Sequence, residues 1–172
     1  MPELRLTSCT LRPIRPGDED SIARYADNVQ VWRNVLDRFP HPYTLEAARS
    51  WVAHCQTHEP QTHNFGIEVD GAIVGMIGLE SGADVHRRSM EIGYWLGEPF
   101  WGRGIATEAA RAVTEYAFAT FDINRVQAWV FGWNPASARV LEKAGYVLEG
   151  RHVGAVTKAG ETTDELAYAI VR

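Results

Sequence analysis

The chain has 172 residues, 45% hydrophobic and 23% charged, with a formal net charge of −5. That is enough for one domain, residues 1–172, with a buried core, and its scattered Lys and Arg under a negative balance exclude nucleic-acid binding as the main role. No run approaches ~18 consecutive apolar residues, so no membrane-spanning helix is expected, and residues 1–15 carry charges with no apolar leader segment. Cys9 and Cys55 lie far apart and read as reduced thiols of a cytoplasmic protein.

Leu11 to Pro16 reads as a short strand ending in prolines. Asp18 is placed to cap a helix running to about Ala26. Residues 32–43 are irregular, with Pro40 and Pro42 as breakers. Thr44 then caps a second helix, in which Leu45, Ala48, Trp51, Val52 and Cys55 recur at helical spacing and which Pro60 ends. Phe65, Ile67 and Val69 alternate as in a strand, Asp70-Gly71 is a two-residue hairpin signal, and residues 72–80 return. Met90, Ile92, Tyr94 and Leu96 give a third strand. A long helix follows a glycine-rich turn, with Ile105, Ala109, Ala112, Val113, Tyr116 and Thr120 on its inner face. Residues 125–130 are a strand, and residues 134–144 are a helix stopped by Gly145. Residues 146–172 read as two strands around Lys158-Ala159-Gly160. The sum is a mixed α+β domain with a mostly antiparallel sheet of six or seven strands and about four helices.

The glycine-rich turn is Trp101-Gly102-Arg103-Gly104-Ile105-Ala106-Thr107-Glu108. Its two glycines let the backbone approach a ligand. The amides of the first helical turn have no intrahelical partner and point outward, where the helix dipole favours phosphate oxygens. Charge-assisted hydrogen bonds contribute about 1.5–3 kcal/mol each, so three or four hold a pyrophosphate. The dinucleotide pattern fails at Thr107, and the Gly-Lys-Ser/Thr of a P-loop is absent. Glu108 would weakly oppose an anion while suiting the dipole. A plain strand-to-helix turn is the ordinary alternative. His54, His58 and His63 have a spacing that can bind a metal, but lack a Glu between them and a carboxylate partner. Three surface imidazoles and no metal is the expectation.

The strand Glu91-Ile92-Gly93-Tyr94-Trp95-Leu96 and the turn after it resemble the coenzyme A segment of the GNAT superfamily. Trp101 stands where that segment usually has Gln or Arg, a departure common in the ribosomal-protein N-terminal acetyltransferase branch. Asn134-Pro135-Ala136-Ser137 followed by Glu142-Lys143-Ala144-Gly145-Tyr146 is similar to a second block of that branch. Trp32, Pro42-Tyr43-Thr44 and residues 164–168 fit as well, so the resemblance covers nearly the whole chain.

The resemblance implies a sheet whose strands splay between Leu96 and Val130, with acetyl-coenzyme A in the gap as co-substrate and a primary amine as acceptor. Trp101, Gly102, Arg103, Gly104, Ile105, Ala106 and Thr107 would hold the pyrophosphate, Arg103 either reaching it or remaining solvated. The Leu96 amide would face the thioester oxygen as an oxyanion donor. Asn134 would bond the pantetheine arm, or cap its helix, or both. Arg139 and Lys143 share a helix face and would meet the 3′-phosphate or the adenine edge, or stand as solvated cations. The family's usual Tyr acid falls at Leu141. Ser137 is the substitute, as a hydrogen-bond donor to the thiolate, and a first-turn Ser bonding its own backbone is the alternative. Glu80 and Glu91 are the candidate bases and acceptor contacts. Trp32 and Tyr43, beside irregular backbone, are candidate acceptor contacts, while Trp51 reads as core. A protein α-amine, with pKa ≈ 7.7–8, needs little base and is the favoured acceptor. A small amine, polyamine or drug is the second reading, and a non-catalytic coenzyme A-binding sensor the third. Members of this branch are often monomers or dimers, so the resemblance implies a monomer or homodimer.

Overall fold

In the computed structural model, which describes residues 1–57 and 62–172, the strands are β1 (Leu4–Arg5), β2 (Thr10–Pro13), β3 (Thr62–Val69), β4 (Ala72–Ser81), β5 (Ser89–Leu96), β6 (Arg125–Phe131), β7 (Val147–Lys158) and β8 (Glu161–Val171). The helices are α1 (Glu19–Ala26), α2 (Val29–Trp32), α3 (Leu45–Gln56), α4 (Ile105–Thr120) and α5 (Pro135–Ala144). The strands form one sheet in the order β1-β2-β3-β4-β5-β6-β8-β7. Every neighbour pair is antiparallel except β5–β6. The α+β class is as expected, and the element count is higher. β1 is too short for periodicity to register. α2 has only four residues, started by Asn28, whose side chain accepts the Gln30 amide.

Local signals set the turns. Asp70 and Gly71 take φ of 51° and 80°, and Ala159 and Gly160 take 51° and 83°. Such paired left-handed dihedrals match the twist of the flanking strands. The sheet buries both faces. α1 and α3 cover one, packing Ile22, Ala26, Ala48 and Val52 over Ile73 and Met76. α4 and α5 cover the other, over Ile77, Met90, Ile92 and Val126.

Three expectations about faces and caps are corrected. Thr44 caps α3 as expected, accepting the Ala47 amide at 3.1 Å, but Leu45 is exposed; it sits in the first turn, ahead of the contact with α1. Asp18 occupies the position before α1 without capping it. Both of its oxygens receive the Arg12 guanidinium at 2.8 Å, and one also accepts the Arg15 amide at 2.9 Å. The buried face of α4 is turned toward Ala110, Thr114 and Ala117, leaving Ala112 and Tyr116 half-buried and Thr120 exposed. The helix packs against α5 and its C-terminal junction as well as the sheet, and the Thr114 hydroxyl lies 2.7 Å from the Tyr146 hydroxyl. His58 and Pro60 lie outside the described residues. His63 is half-buried with its ring 4.6 Å from Phe121. Among the described residues no group of three or more His, Cys, Asp or Glu is arranged to hold a metal.

Two charged clasps tie distant segments. Arg12, 4% exposed, joins β2 to α1 through Asp18 and to β3 through Glu68. Lys158, 3% exposed at the tip of the β7–β8 hairpin, lies 2.9 Å from Asp37 and 4.3 Å above the Trp32 ring. Its contact with Asp37 is an ion pair rather than an aligned hydrogen bond. Among the described residues no helix is long and apolar enough to cross a membrane.

Desolvation opposes ionisation of Asp18, but the Arg12 and Arg15 bonds outweigh it and hold the carboxyl below its ordinary value. Asp18 therefore stabilises the fold above the usual carboxylate range and loses that contribution as pH falls through its lowered pKa. Asp18→Ala should cost about 3 kcal/mol in urea unfolding at neutral pH, the low end for breaking a buried pair, because Glu68 still faces the guanidinium.

Candidate active site

The parallel register between β5 and β6 is short. Ser89, Met90 and Glu91 pair with Arg125, Val126 and Gln127, and the pairing ends there. Beyond it, Ile92 to Leu96 and Ala128 to Phe131 line a cavity of about 540 Å³, closed by the N-terminal ends of α4 and α5. The expected splay is therefore present, between the strands that carry Leu96 and Val130.

Leu96 sits at the end of the diverging β5. The next amide, Gly97, donates to Val74 on β4 at 2.8 Å. Strand alternation thus turns the Leu96 N–H and C=O the other way, into the gap. The carbonyl is taken by the Trp101 indole, which donates to it at 2.6 Å. Trp101 thereby anchors the glycine turn to the strand end, and the Leu96 amide faces the cavity.

Gly102 and Gly104 have φ of 73° and 81°, which side-chain-bearing residues avoid. A Cβ at either would meet nothing within 4 Å, so the backbone conformation, not packing, requires glycine. Gly104 precedes α4 with no side chain to cap it. The first intrahelical bond is Glu108 N–H to Gly104 C=O at 3.0 Å, so the amides of Ile105, Ala106 and Thr107 have no helical carbonyl. These donors stand at the positive end of a 16-residue helix, a donor set that suits a pyrophosphate. Arg103 is outside the cavity lining, exposed, its guanidinium 5.4 Å from the Phe100 ring centre.

Glu108 is outside the cavity lining. Its carboxylate accepts the Thr7 and Ser8 amides at 2.7 and 3.0 Å and the Ser8 hydroxyl. Although desolvation works against it, these bonds hold its pKa below the ordinary value. The charge is spent on fastening the β1–β2 turn to α4.

On the other wall, Asn134 both lines the cavity and caps α5, accepting the Ser137 amide at 3.2 Å. The half-buried Ser137 places its hydroxyl 2.8 Å from the Tyr94 hydroxyl of β5. Leu141 is fully buried and forms apolar wall. Arg139 and Lys143 are exposed side chains at the rim of the cavity.

At the opposite end, where β5 and β6 part, Glu91 borders both this cavity and a second one of about 370 Å³. Trp129 donates its indole N–H to Glu91 at 3.0 Å. Desolvation by the cleft walls raises the Glu91 pKa against that bond, and Glu80 and Glu165 add to the rise while Arg38 offsets it. Glu80 lines only the second cavity, pairing with Arg38 at 3.7 Å. Two proposed acceptor contacts are corrected. Tyr43 is 6% exposed and packs with Phe39 under α3, its phenol pushed up to about 12 by burial. Trp32 stacks on His41 and under Lys158, away from the cavity lining. Tyr43 belongs to the core that α1 and α3 form over the sheet, whereas Trp32 is half-buried beneath the β7–β8 turn. Trp51 joins the same core, its indole 3.0 Å from the Met76 sulfur.

Residues 8–147 match the Acetyltransferase (GNAT) domain family, to which the chain belongs. It is an acetyl-coenzyme A-dependent N-acetyltransferase. It is similar to YdaF of Bacillus subtilis, provisionally named a ribosomal N-acetyltransferase, at 35% identity covering 95% of this chain and 91% of that one. It is also similar to the spermidine N(1)-acetyltransferase of Escherichia coli, at 27% identity over 83% of this chain and 75% of that one. Among solved structures, Mycobacterium smegmatis RimJ in complex with a CoA-disulfide superposes with a TM-score of 0.84 at 26% identity, over 99% of this chain and 86% of that one.

Sequence reasoning missed Tyr94, Trp129, Arg38 and Glu165 as cavity residues. The one available signal was Tyr94, a polar-tipped residue in the otherwise apolar series Met90, Ile92, Leu96.

Gly104→Val should weaken acetyl-coenzyme A binding by about 100-fold in calorimetry, the loss of one or two charge-assisted bonds, while thermal unfolding stays cooperative; retained affinity would remove the turn from the binding site. In carboxyl-carbon NMR, Glu91 should titrate above the usual carboxylate range, and Trp129→Phe, which removes a donor to the charged form, should move it higher still.

Proposed function

We propose that the chain acetylates a primary α-amine at a protein N-terminus, by direct attack in a ternary complex, and that residues 1–172 act as one domain. The observation that carries this reading is that Leu96, Ser137 and Glu91 all line one gap, with the Leu96 amide turned into it. The amide is aimed where negative charge grows on the thioester oxygen as the amine nitrogen bonds the acetyl carbon. The carbon–sulfur bond then breaks, and Ser137 donates a hydrogen bond to the departing thiolate. Glu91, with its raised pKa, takes the proton released by the amine, directly or through water. The amides of residues 103–107 with Trp101 and Gly102 hold the pyrophosphate, and Asn134 the pantetheine arm. Arg139 and Lys143 meet the nucleotide end. Glu80 and Arg38 shape the acceptor side.

Three things support an α-amine over a polyamine. The full-length likeness to YdaF is stronger than that to the spermidine enzyme. An α-amine is partly neutral near pH 8 and needs only the single raised carboxylate. The acceptor end also mixes Leu36 and Trp129 with charge instead of presenting carboxylates alone. All these residues come from one copy, so a monomer suffices and a homodimer would carry two such sites. The two free cysteines suit a cytoplasmic setting.

A thiol-release assay compares peptides with free N-termini, spermidine and small drug amines. Peptides should give a kcat/KM at least about tenfold above spermidine, a difference of about 1.4 kcal/mol. Preference for spermidine reassigns the acceptor, and acetyl-coenzyme A binding without turnover of any amine would make the chain a sensor. Ser137→Ala should lower kcat about tenfold or more, the loss of one bond to a charged group, with coenzyme A affinity within a few-fold; unchanged turnover removes Ser137 from the reaction.

A further inference from the structure

A serine hydroxyl rotates freely and carries one proton, so its usefulness as a donor depends on what holds its oxygen. Ser137 is fixed on the first turn of α5, its amide bound by Asn134 at 3.2 Å. Its hydroxyl oxygen lies 2.8 Å from the Tyr94 hydroxyl, where either oxygen can donate, and its carbonyl lies 3.3 Å from the same phenol oxygen, so the single phenol proton is placed to serve one of the two, and the hydroxyl contact is the shorter. Tyr94 projects from the part of β5 that has left β6, and Ser137 from the helix that follows β6. This bond therefore spans the gap between the two diverging walls. Both oxygens of Ser137 lie on the phenol's side. When the hydroxyl oxygen accepts there, its own proton is turned to the remaining open direction, the cavity.

We propose that Tyr94 is a positioning residue whose phenol donates to Ser137 Oγ and so aims the Ser137 proton at the departing sulfur. The inference rests on the role given to Ser137 above. It requires no proton transfer from tyrosine: the amine's proton leaves through Glu91 or water, and the thiolate leaves as an anion solvated by Ser137. Burial supports this division, because it raises the Tyr94 pKa above its ordinary value, outweighing the Ser137 bond. The phenol thus stays neutral, and stays a donor, throughout the working pH range. Tyr94 would occupy from the strand side the functional neighbourhood that the family's helix tyrosine, here Leu141, leaves empty.

The test is a double-mutant cycle on the full chain with acetyl-coenzyme A and a peptide acceptor whose N-terminus is free. Tyr94→Phe should lower kcat about fivefold to tenfold, the worth of one neutral hydrogen bond, with KM for acetyl-coenzyme A within about twofold and cooperative thermal unfolding. Tyr94→Phe/Ser137→Ala should be no slower than Ser137→Ala alone, because the phenol then has nothing left to orient. Losses that multiply, or a KM that rises as far as kcat falls, would make Tyr94 a structural tie across the gap and overturn the proposal. If Tyr94→Phe is silent while Ser137→Ala is slow, this inference alone falls. If Ser137→Ala is itself at wild-type rate, the assignment of Ser137 falls and takes this one with it.

Discussion

The site depends on a parallel strand pair that holds for three residue pairs and then opens. Parallel neighbours are normally buried and paired along their length. Here the backbone groups on the facing edges of β5 and β6 are withdrawn from one another inside the sheet. A polar edge within a protein has to find a partner. Trp101 supplies one, for the Leu96 carbonyl. The others face a cavity deep enough for a chain-like ligand with amide groups of its own, which can pair with them as an added strand would. The coenzyme's arm has that chemistry, and the demand for it is built in before any catalytic side chain is considered.

Around this opening the chemistry divides by direction. The glycine turn and the first amides of α4 make one end attractive to phosphate, and do so with backbone alone. The net negative charge of the protein offers no general attraction for an anion, so local donors carry the recognition. Glu108 keeps its charge but stands outside the cavity lining, its carboxylate held by three donors of the β1–β2 turn. The other end is acidic and mixed, with Glu91 at the junction. Its carboxyl is raised because cleft walls and like charges surround it, and restrained by Trp129 and Arg38.

Local signals were legible where a residue type answers a backbone requirement. Asp70-Gly71, Gly102, Gly104, Thr44, Asn134 and Gly145 each stand where a dihedral or an orphan amide demands them, and the structure uses them so. Side chains whose role depends on a distant partner were not legible. Asp18 looks like a cap until Arg12 from a neighbouring strand claims it. Glu108 looks like a charge beside the anion site until residues 7 and 8 fold over it. Tyr43 looks available until α3 closes above it. Periodicity reports that a face is buried and not what buries it, which is also why α4 presents Thr114 and Ala117 in place of Tyr116 and Thr120. Tyr94 was hidden for the opposite reason: it obeys the strand pattern, and its hydroxyl matters only because α5 arrives opposite.

The Lys158 clasp has a kinetic implication. β8 lies between β6 and β7 although it follows both in sequence, so one wall of the gap gains its second neighbour only when residues 161–171 turn back inward. Lys158, at that turn, reaches across to Asp37 and Trp32 from more than a hundred residues away. Closing so long a loop is slow compared with forming the local hairpin of β3 and β4. The β6 wall of the gap is therefore completed only when the β7–β8 hairpin has folded back, and Lys158 latches that hairpin to the segment that carries Trp32 and Asp37.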